Sequence, residues 1–213
     1  MNLDYLGDAL DHWKGSLFQY LQTEGILRDF AVDPMVTDRK KWTEDDFVLF
    51  ARLLHIKRRQ IIRHEAPLTA RGHYLAEIAH KGDLFLDPDT GIATKGASPI
   101  AKYVKPREVA ALLHSAGGRV LAVYQHVRAQ KTCARVDGCV AAIAKEIDAA
   151  GWCSYESSTV AMLFLCSDAT RAQEVWSALH RLLGRHGERR VRFGKWEARL
   201  TSRCSGRARS ARR

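Results

Sequence analysis

The sequence predicts an α/β protein in which helices cover both faces of a mostly parallel sheet. Short apolar segments alternate along the chain with amphipathic helical segments, which is typical of this fold class. Near the C-terminus, two apolar segments are separated only by Ser157, Ser158 and Thr159, which indicates an antiparallel strand pair. With 213 residues, 46% of them hydrophobic, the chain can bury a substantial core.

The first elements are a helix, a strand and a second helix. Apolar residues at helical spacing predict the first helix over residues 8–24. A strand over residues 27–32 follows and ends at Asp33, which precedes a proline. Thr43 is the predicted N-cap of the second helix, with Asp46 three residues further on as its capping partner.

The middle of the chain leads to an acidic turn. Residues 60–63 are predicted as a short strand and residues 70–80 as a third helix. The apolar strand 84–86 then ends abruptly in residues 87–91, which read Asp-Pro-Asp-Thr-Gly. A loop rich in Gly, Ala, Ser and Pro is predicted over residues 91–101.

The C-terminal half repeats the alternation of helices and strands. Pro106 is predicted as the first residue of a helix, and Asp168 as the cap of the last long helix. The predicted elements are, in order, a helix over 106–115, a strand over 119–127, a helix over 136–149, strands over 152–156 and 160–166, a helix over 168–183 and an edge strand over 191–200.

Positive charge is concentrated at the C-terminus. The formal net charge is +10, and residues 181–213 carry all of it, with 12 basic and two acidic residues. We predict one α/β domain over residues 1–200 and a basic, disordered tail over 201–213. Arg189 and Arg190 flank a predicted strand and are our candidates for phosphate contacts with a nucleic acid.

Several protein classes are excluded by motifs that the sequence lacks. No apolar run is long enough to span a membrane, and the N-terminus does not resemble a signal peptide, so we expect a cytoplasmic protein without membrane contact. The five cysteines form no C-x-x-C pair, which argues against a zinc ribbon or a disulfide framework. Walker A, G-x-G-x-x-G, G-x-S-x-G and H-E-x-x-H motifs are also absent from the sequence.

Polar residues follow three predicted strands. They are Asp33 after the first strand, Asp87 and Asp89 after the acidic one, and Tyr124 and His126 in the next. If these strands are parallel neighbours in a Rossmann-like sheet, their carboxyl ends line one crevice. A purely structural alternative stays open, because Asp before Pro favours turns and a histidine at a strand end is often only hydrogen-bonded in place.

The order of these motifs resembles class I S-adenosylmethionine-dependent methyltransferases that act on nucleic-acid bases, in particular the bacterial ribosomal RNA adenine N6-methyltransferases. Those enzymes have an opening helix with a Lys-His pair, a central strand ending in Asp-Pro-Pro-Tyr, a next strand ending in aromatic residues, and a closing antiparallel pair. The matching segments here are residues 8–14, 84–89, 123–126 and 152–166.

The resemblance implies a role for each matching residue. Asp87 and the carbonyl of Pro88 would accept hydrogen bonds from the target amine, with Asp89 as a second carboxylate. The residues implied in binding S-adenosylmethionine are His12, Lys14 and Asp33, and those implied in binding the substrate are Thr90, Tyr124, His126, Arg189 and Arg190. The turn after Asp33 lacks the family's glycines, and Asp89 and Thr90 replace a proline and an aromatic residue. A degenerate descendant of the family is therefore kept as the other form of this expectation.

Two other classes stay open at this stage. Asp87-Pro88-Asp89-Thr90 is close to the Asp-x-Asp-x-Thr signature of Mg²⁺-dependent phosphatases, and Asp33 with Asp87 and Asp89 would suit a Mg²⁺-dependent phosphohydrolase or nuclease. The missing glycine-rich turn instead favours a non-catalytic module that binds nucleic acid or protein.

Overall fold

A computed structural model describes residues 1–78, 82–127, 130–147 and 150–196 of the chain. The strands are β1 (Ala31–Asp33), β2 (Leu84–Leu86), β3 (Gly91–Ile92), β4 (Tyr103–Val104), β5 (Val120–His126), β6 (Ala150–Glu156), β7 (Val160–Cys166) and β8 (Val191–Trp196). The α-helices are α1 (Ala9–Thr23), α2 (Glu44–Leu53), α3 (Arg71–Ala76), α4 (Pro106–His114), α5 (Thr132–Ile143), α6 (Ala169–Leu183) and α7 (Gly187–Arg190).

Six strands form the main sheet, in the order β1-β2-β5-β7-β6-β8. β1, β2 and β5 are parallel neighbours, whereas β7 pairs antiparallel with both β5 and β6, and β8 pairs antiparallel with β6. Four of the six strands therefore point in the same direction. This confirms the predicted α/β class and the antiparallel pair, and it places β7 between β5 and β6.

Each face of the sheet carries its own hydrophobic core. Along β5, Val120 and Ala122 contribute to one core while Leu121 and Val123 contribute to the other, as strand alternation requires. Residues of α1, α2 and α6 complete the first core, and residues of α3, α4 and α5 complete the second. The sheet is buried on both faces, which explains why its central strands are continuously apolar.

The carboxylate of Asp83 joins the beginnings of the parallel strands. It accepts hydrogen bonds from the backbone nitrogens of Arg28, at 2.6 Å, and Val120, at 2.7 Å, and Arg171 lies 3.2 Å away. Burial raises the pKa of the Asp83 carboxyl, although these donors and Arg171 oppose that effect. The side chain connects the segments that enter β1, β2 and β5.

Thr43, Pro106 and Asp168 have the roles predicted for them at helix starts, and Asp8 also caps a helix. Asp8 accepts a hydrogen bond from the nitrogen of Leu10 at 2.8 Å, and Thr43 forms a reciprocal capping box with Asp46. Pro106 lies in the first turn of α4, and the Asp168 side chain caps α6. None of the helices in the described part of the chain combines the length and the apolar composition needed to cross a bilayer.

Several predicted boundaries were wrong. The first strand is residues 31–33 and not 27–32, because the backbone nitrogens of Ile26 and Leu27 bond to Leu21 at the end of α1. The predicted strand 60–63 is only one isolated bridge, between Ile61 and Val32.

The structure also differs from the predicted boundaries after β2 and in α5. The predicted loop 91–101 begins with β3, which pairs with β4 in a separate two-stranded sheet. α5 begins at Thr132 and ends at Ile143, earlier than the predicted 136–149. The end of the predicted third helix at 79–80, the end of the predicted edge strand at 197–200 and the tail at 201–213 lie outside the described residues.

Candidate functional site

The carboxyl ends of β1, β2 and β5 lie side by side, as the sequence predicts. Asp33 is in register with Leu86, and Leu86 with Val123. A cavity of about 610 Å³ opens at this edge of the sheet and is covered by the N-terminal part of α1. The predicted site residues that line it are Lys14, Asp87, Pro88, Asp89, Thr90, Tyr124 and His126.

A buried ion-pair network forms the floor of this cavity, which we call the site pocket. The ammonium of Lys14 donates to Asp87 Oδ2 at 2.9 Å and to Asp11 Oδ1 at 3.1 Å, and all three side chains are at most 6% exposed. Burial alone would lower the pKa of Lys14, but the charges of Asp87 and Asp11 outweigh it and raise that pKa. Lys14 therefore stays an ammonium, and it neutralises the carboxylate that ends β2.

An aromatic pair from β5 forms one side of the site pocket. The ammonium of Lys14 lies 4.5 Å from the centre of the Tyr124 ring, a cation–π contact. The Tyr124 hydroxyl and His126 Nδ1 are 3.1 Å apart. Burial raises the pKa of the Tyr124 hydroxyl, so the phenol is neutral and can donate or accept a hydrogen bond.

Four oxygen atoms converge on one point beside this network. The amino group of Met1 lies 2.9 Å from the carbonyl oxygen of Pro34, 2.6 Å from that of Met35 and 3.1 Å from that of Asp87. Its nitrogen is also 3.1 Å from Asp89 Oδ1. Burial lowers the pKa of this amino group, although the charges of Asp89 and Asp87 oppose the effect. The turns after β1 and β2 thus form an acceptor cluster suited to a primary ammonium.

Asp33 is positioned by a different set of contacts and does not line the site pocket. Its Oδ1 accepts hydrogen bonds from Tyr74 at 2.5 Å and from the backbone nitrogen of Met35 at 2.9 Å, and His64 Nε2 is 3.2 Å from its Oδ2. His64 also stacks on Tyr74, with ring centres 3.6 Å apart, and contacts Glu77. The side chain of Asp33 therefore holds the turn after β1 in place through Met35, without reaching the site pocket.

The turn after β1 is built without glycine. Met35 is fully buried and has a φ of 45°, a left-handed conformation that non-glycine residues seldom adopt. The bond from its backbone nitrogen to Asp33 holds this conformation. The carbonyls of Pro34 and Met35 consequently point toward the amino group of Met1.

Gln125 fixes the segment that follows the acidic turn. Its buried side chain accepts from the nitrogen of Ile92 at 2.9 Å and donates to the carbonyl of Thr90 at 2.9 Å. Gly91 has a φ of 124°, and a Cβ there would lie 2.4 Å from Gln125 Oε1. Only glycine fits this close approach of β3 to β5.

Besides Asp33, three predicted residues lie outside the site pocket. His12 is exposed on α1 and does not line the site pocket, whereas its neighbour Lys14 points inward. Arg189 and Arg190 are exposed on α7, next to the beginning of β8. They lie at the same end of the sheet as the site pocket, but three strands away from β5.

The metal-binding interpretation receives no geometric support. In the described ranges, no group of three or more His, Cys, Asp or Glu side chains is arranged to hold a metal ion. Asp33 faces Tyr74 and His64, while Asp87 and Asp89 face the site pocket from the next strand.

Sequence reasoning missed several residues of the site pocket. Asp11 is 1% exposed and shares Lys14 with Asp87, yet it was not among the predicted residues. Its signal was available, because Asp11, Lys14, Phe18 and Leu21 recur at the spacing of one helix face. The other missed lining residues that are charged are Asp8, Lys102 and Arg135.

Comparisons with known proteins give no relative for this chain. No known protein family matches the sequence, and no curated protein or solved structure is significantly similar to it. The function must therefore be argued from the geometry of the site pocket.

Proposed function

We propose that this chain is a Rossmann-like, methyltransferase-like protein that binds S-adenosylmethionine in the site pocket and acts on an amine of a nucleic-acid base. The observation that carries the proposal is the position of Asp87-Pro88. This dipeptide directly follows β2, which lies between two parallel neighbours, and it opens on a cavity covered by α1. Ligands of open α/β sheets bind at this place, beyond the carboxyl ends of the strands.

The size and chemistry of the site pocket fit the cofactor in two respects. Its volume of about 610 Å³ is within the range of small-molecule sites, which is about 300–1,000 Å³. The acceptor cluster of Pro34, Met35, Asp87 and Asp89, beside the site pocket, holds the amino group of Met1 and would accept the ammonium of an amino-acid moiety once Met1 is displaced from it. When bound, S-adenosylmethionine supplies an electrophilic methyl group.

The chain's own residues would position the target amine. The carboxylate of Asp87 and the carbonyl of Pro88 are acceptors on the wall of the site pocket, and the Tyr124 ring beside them already carries the Lys14 ammonium over its centre. A base taken out of its stack needs such acceptors and a stacking surface. Lys14 already donates to Asp87, so the target amine would have to share that carboxylate with it.

Transfer of an isotope-labelled methyl group from S-adenosylmethionine to short RNA and DNA strands tests the proposal. We expect labelled N-methylated base with the wild-type chain, and loss of at least about 100-fold in rate for Asp87→Asn. Asp45→Asn, on the exposed surface of α2, is the control and should keep full activity. Asp89→Asn serves as a second variant in case Asp87→Asn folds poorly, and its folding is checked by circular dichroism.

The outcome also separates the two alternative functions. A non-catalytic descendant is favoured by the Lys14–Asp87 ion pair and by the turn at Met35, and it predicts nucleic-acid binding without methyl transfer. A Mg²⁺-dependent phosphohydrolase or nuclease predicts cleavage of phosphate esters that EDTA abolishes. Either result, without labelled product, would contradict the proposed methyl transfer.

A further inference from the structure

A second cavity of about 300 Å³ adjoins the site pocket, and the two share Gln130 and Arg135 in their linings. It lies between α5 and the segment after β3, and we call it the α5 groove. Arg135 and Gln130 line both cavities and therefore lie between them. A ligand that extends out of the site pocket past Arg135 would enter this groove.

Charge is divided between the two cavities. Lys95, Arg135 and Lys145 line the α5 groove, and none of the described residues in its lining is acidic. The site pocket instead contains four carboxylates, and Lys14, Lys102, Arg135 and the amino group of Met1 balance their charge. The α5 groove therefore suits the negatively charged part of a ligand whose uncharged part enters the site pocket.

Arg135 is held rigidly at the junction of the cavities. It donates from Nη1 to Thr94 Oγ1 at 2.6 Å and from Nη2 to the carbonyl of Ile92 at 2.7 Å. A guanidinium carries five N–H donors, and its planar fork is matched to phosphate oxygens. These contacts fix the guanidinium where the two cavities meet.

Small residues form the α5 side of the groove. Ala134, Gly138 and Ala141 recur at helical spacing on α5, and nothing lies within 4 Å of the position that a Cβ of Gly138 would occupy. A ligand can therefore approach the backbone of α5 closely. Exposed Lys95 and Lys145 extend from opposite sides of this open surface, on the β3–β4 segment and beyond the end of α5.

We propose that the α5 groove binds the phosphates of a single-stranded nucleic acid whose base enters the site pocket. The inference rests on the proposed function for the identity of that base. The strand would run from the junction at Arg135 along α5 between Lys95 and Lys145. Such a groove gives salt-sensitive binding without reading sequence.

The test is equilibrium binding of a fluorescent single-stranded oligonucleotide of about 12 nucleotides to the full chain, without cofactor, over a range of salt concentrations. Lys95→Ala/Lys145→Ala should reduce the slope of log affinity against log salt by about 1.4, since each lost contact with a single strand contributes about 0.7. The control Lys40→Ala/Lys57→Ala removes the same charge outside both cavities and should leave the slope unchanged.

A charge-neutral variant distinguishes the groove from general attraction to a basic protein. Gly138→Leu fills the groove without altering charge, so we expect at least a tenfold loss of oligonucleotide affinity. Equal effects of the groove pair and the control pair, or full affinity in Gly138→Leu, would overturn the proposal. Adenosine monophosphate binding that depends equally on Lys95 and Lys145 would also overturn it, because the ligand would then be a free nucleotide.

Since no cofactor is present, this experiment can fail or succeed independently of the proposed function. Oligonucleotide binding through the α5 groove without methyl transfer would support the proposed phosphate site and contradict the proposed methyltransferase activity. Methyl transfer with unchanged kinetics in the groove variants would support the proposed methyltransferase activity and contradict the proposed phosphate site.

Discussion

Lys14 compensates the charge of two buried carboxylates in the site pocket, those of Asp11 and Asp87. Its ammonium lies between two buried carboxylates and over the Tyr124 ring, so it compensates charges that water cannot reach. The same contact occupies one oxygen of Asp87, the carboxylate to which the proposed reaction assigns the target amine. Stability and function therefore compete at this residue.

Replacing Lys14 tests its structural contribution. We expect Lys14→Met to lower the free energy of unfolding by about 3–5 kcal/mol at pH 7, because Asp11 and Asp87 would remain buried without a counter-charge. The double variant Lys14→Met/Asp87→Asn should recover part of this loss. Denaturant unfolding measures both values, with exposed Lys57→Met as a control that changes stability by less than about 0.5 kcal/mol. Additive effects of the two substitutions would contradict the coupling.

His64 should make stability depend on pH. Burial favours the neutral imidazole, but the hydrogen bond and charge of Asp33, together with Glu77, outweigh it and raise the pKa of His64. The protonated ring therefore stabilises the fold fully below the ordinary histidine value of about 6.5, and this contribution is lost as pH rises through the folded-state pKa.

The measurement is the free energy of unfolding of the wild type and of His64→Gln between about pH 5.5 and 8.5. The difference between the two proteins should be largest at the acidic end and shrink as pH increases. A difference that is constant over this range, or that grows with pH, would show that His64 is not protonated between Asp33 and Glu77.

At the scale of elements, α1 is the part of the fold that turns a sheet edge into an enclosed pocket. Its close approach to α2 depends on Gly15, the residue after Lys14. A Cβ on Gly15 would lie 2.0 Å from the carbonyl oxygen of Leu53, the last residue of α2. The position of α1, and with it that of Lys14, is therefore set by a contact with backbone that cannot yield easily.

Two glycine-to-alanine substitutions test this packing. Gly15→Ala should destabilise the protein by about 1–3 kcal/mol, because α1 and α2 must separate. Gly72→Ala, in α3, meets nothing within 4 Å and should stabilise it by about 0.4–1 kcal/mol by restricting the unfolded chain. Thermal unfolding of both variants provides the comparison, and equal effects of the same sign would refute the close contact of α1 with α2.

The elements also show what could be read from the sequence. Helix starts were predictable because Asp8, Thr43 and Asp168 cap through local contacts. The boundary of β1 was not, since residues 26 and 27 are apolar yet bond to the end of α1. In α1 the apolar residues 10, 13 and 17 indicated one face, while the buried face also includes Asp11 and Lys14, whose burial depends on tertiary pairing.

At the scale of the whole molecule, the shared edge of three parallel strands was predictable from the polar residues that follow them. Asp87 and Tyr124 meet in the site pocket because β2 and β5 are neighbours. Asp33 faces away because Tyr74 and His64, from a distant segment, bind its carboxylate. Arg135 joins the site pocket through tertiary contacts with Thr94 and Ile92, so no local motif announces it.

The division of charge across the molecule follows from these placements. In the site pocket the carboxylates are balanced by Lys14, Lys102, Arg135 and the amino group of Met1, whereas the charged residues in the described lining of the α5 groove are all basic. This difference in charge fits the proposed nucleotide unit, with its base in the site pocket and its phosphates along α5.

Binding of S-adenosylmethionine, measured as a shift in Tm with S-adenosylhomocysteine, Mg²⁺ and Mn²⁺ in parallel, decides whether the site pocket is a cofactor site. At 100 times its Kd, a bound ligand stabilises the fold by about 2.7 kcal/mol, which raises Tm by about 5–10 °C for a chain of this length. We predict this rise with both nucleosides, and a much smaller one in Asp89→Asn. An unchanged Tm with both nucleosides, together with a rise with either metal ion, would contradict the proposal.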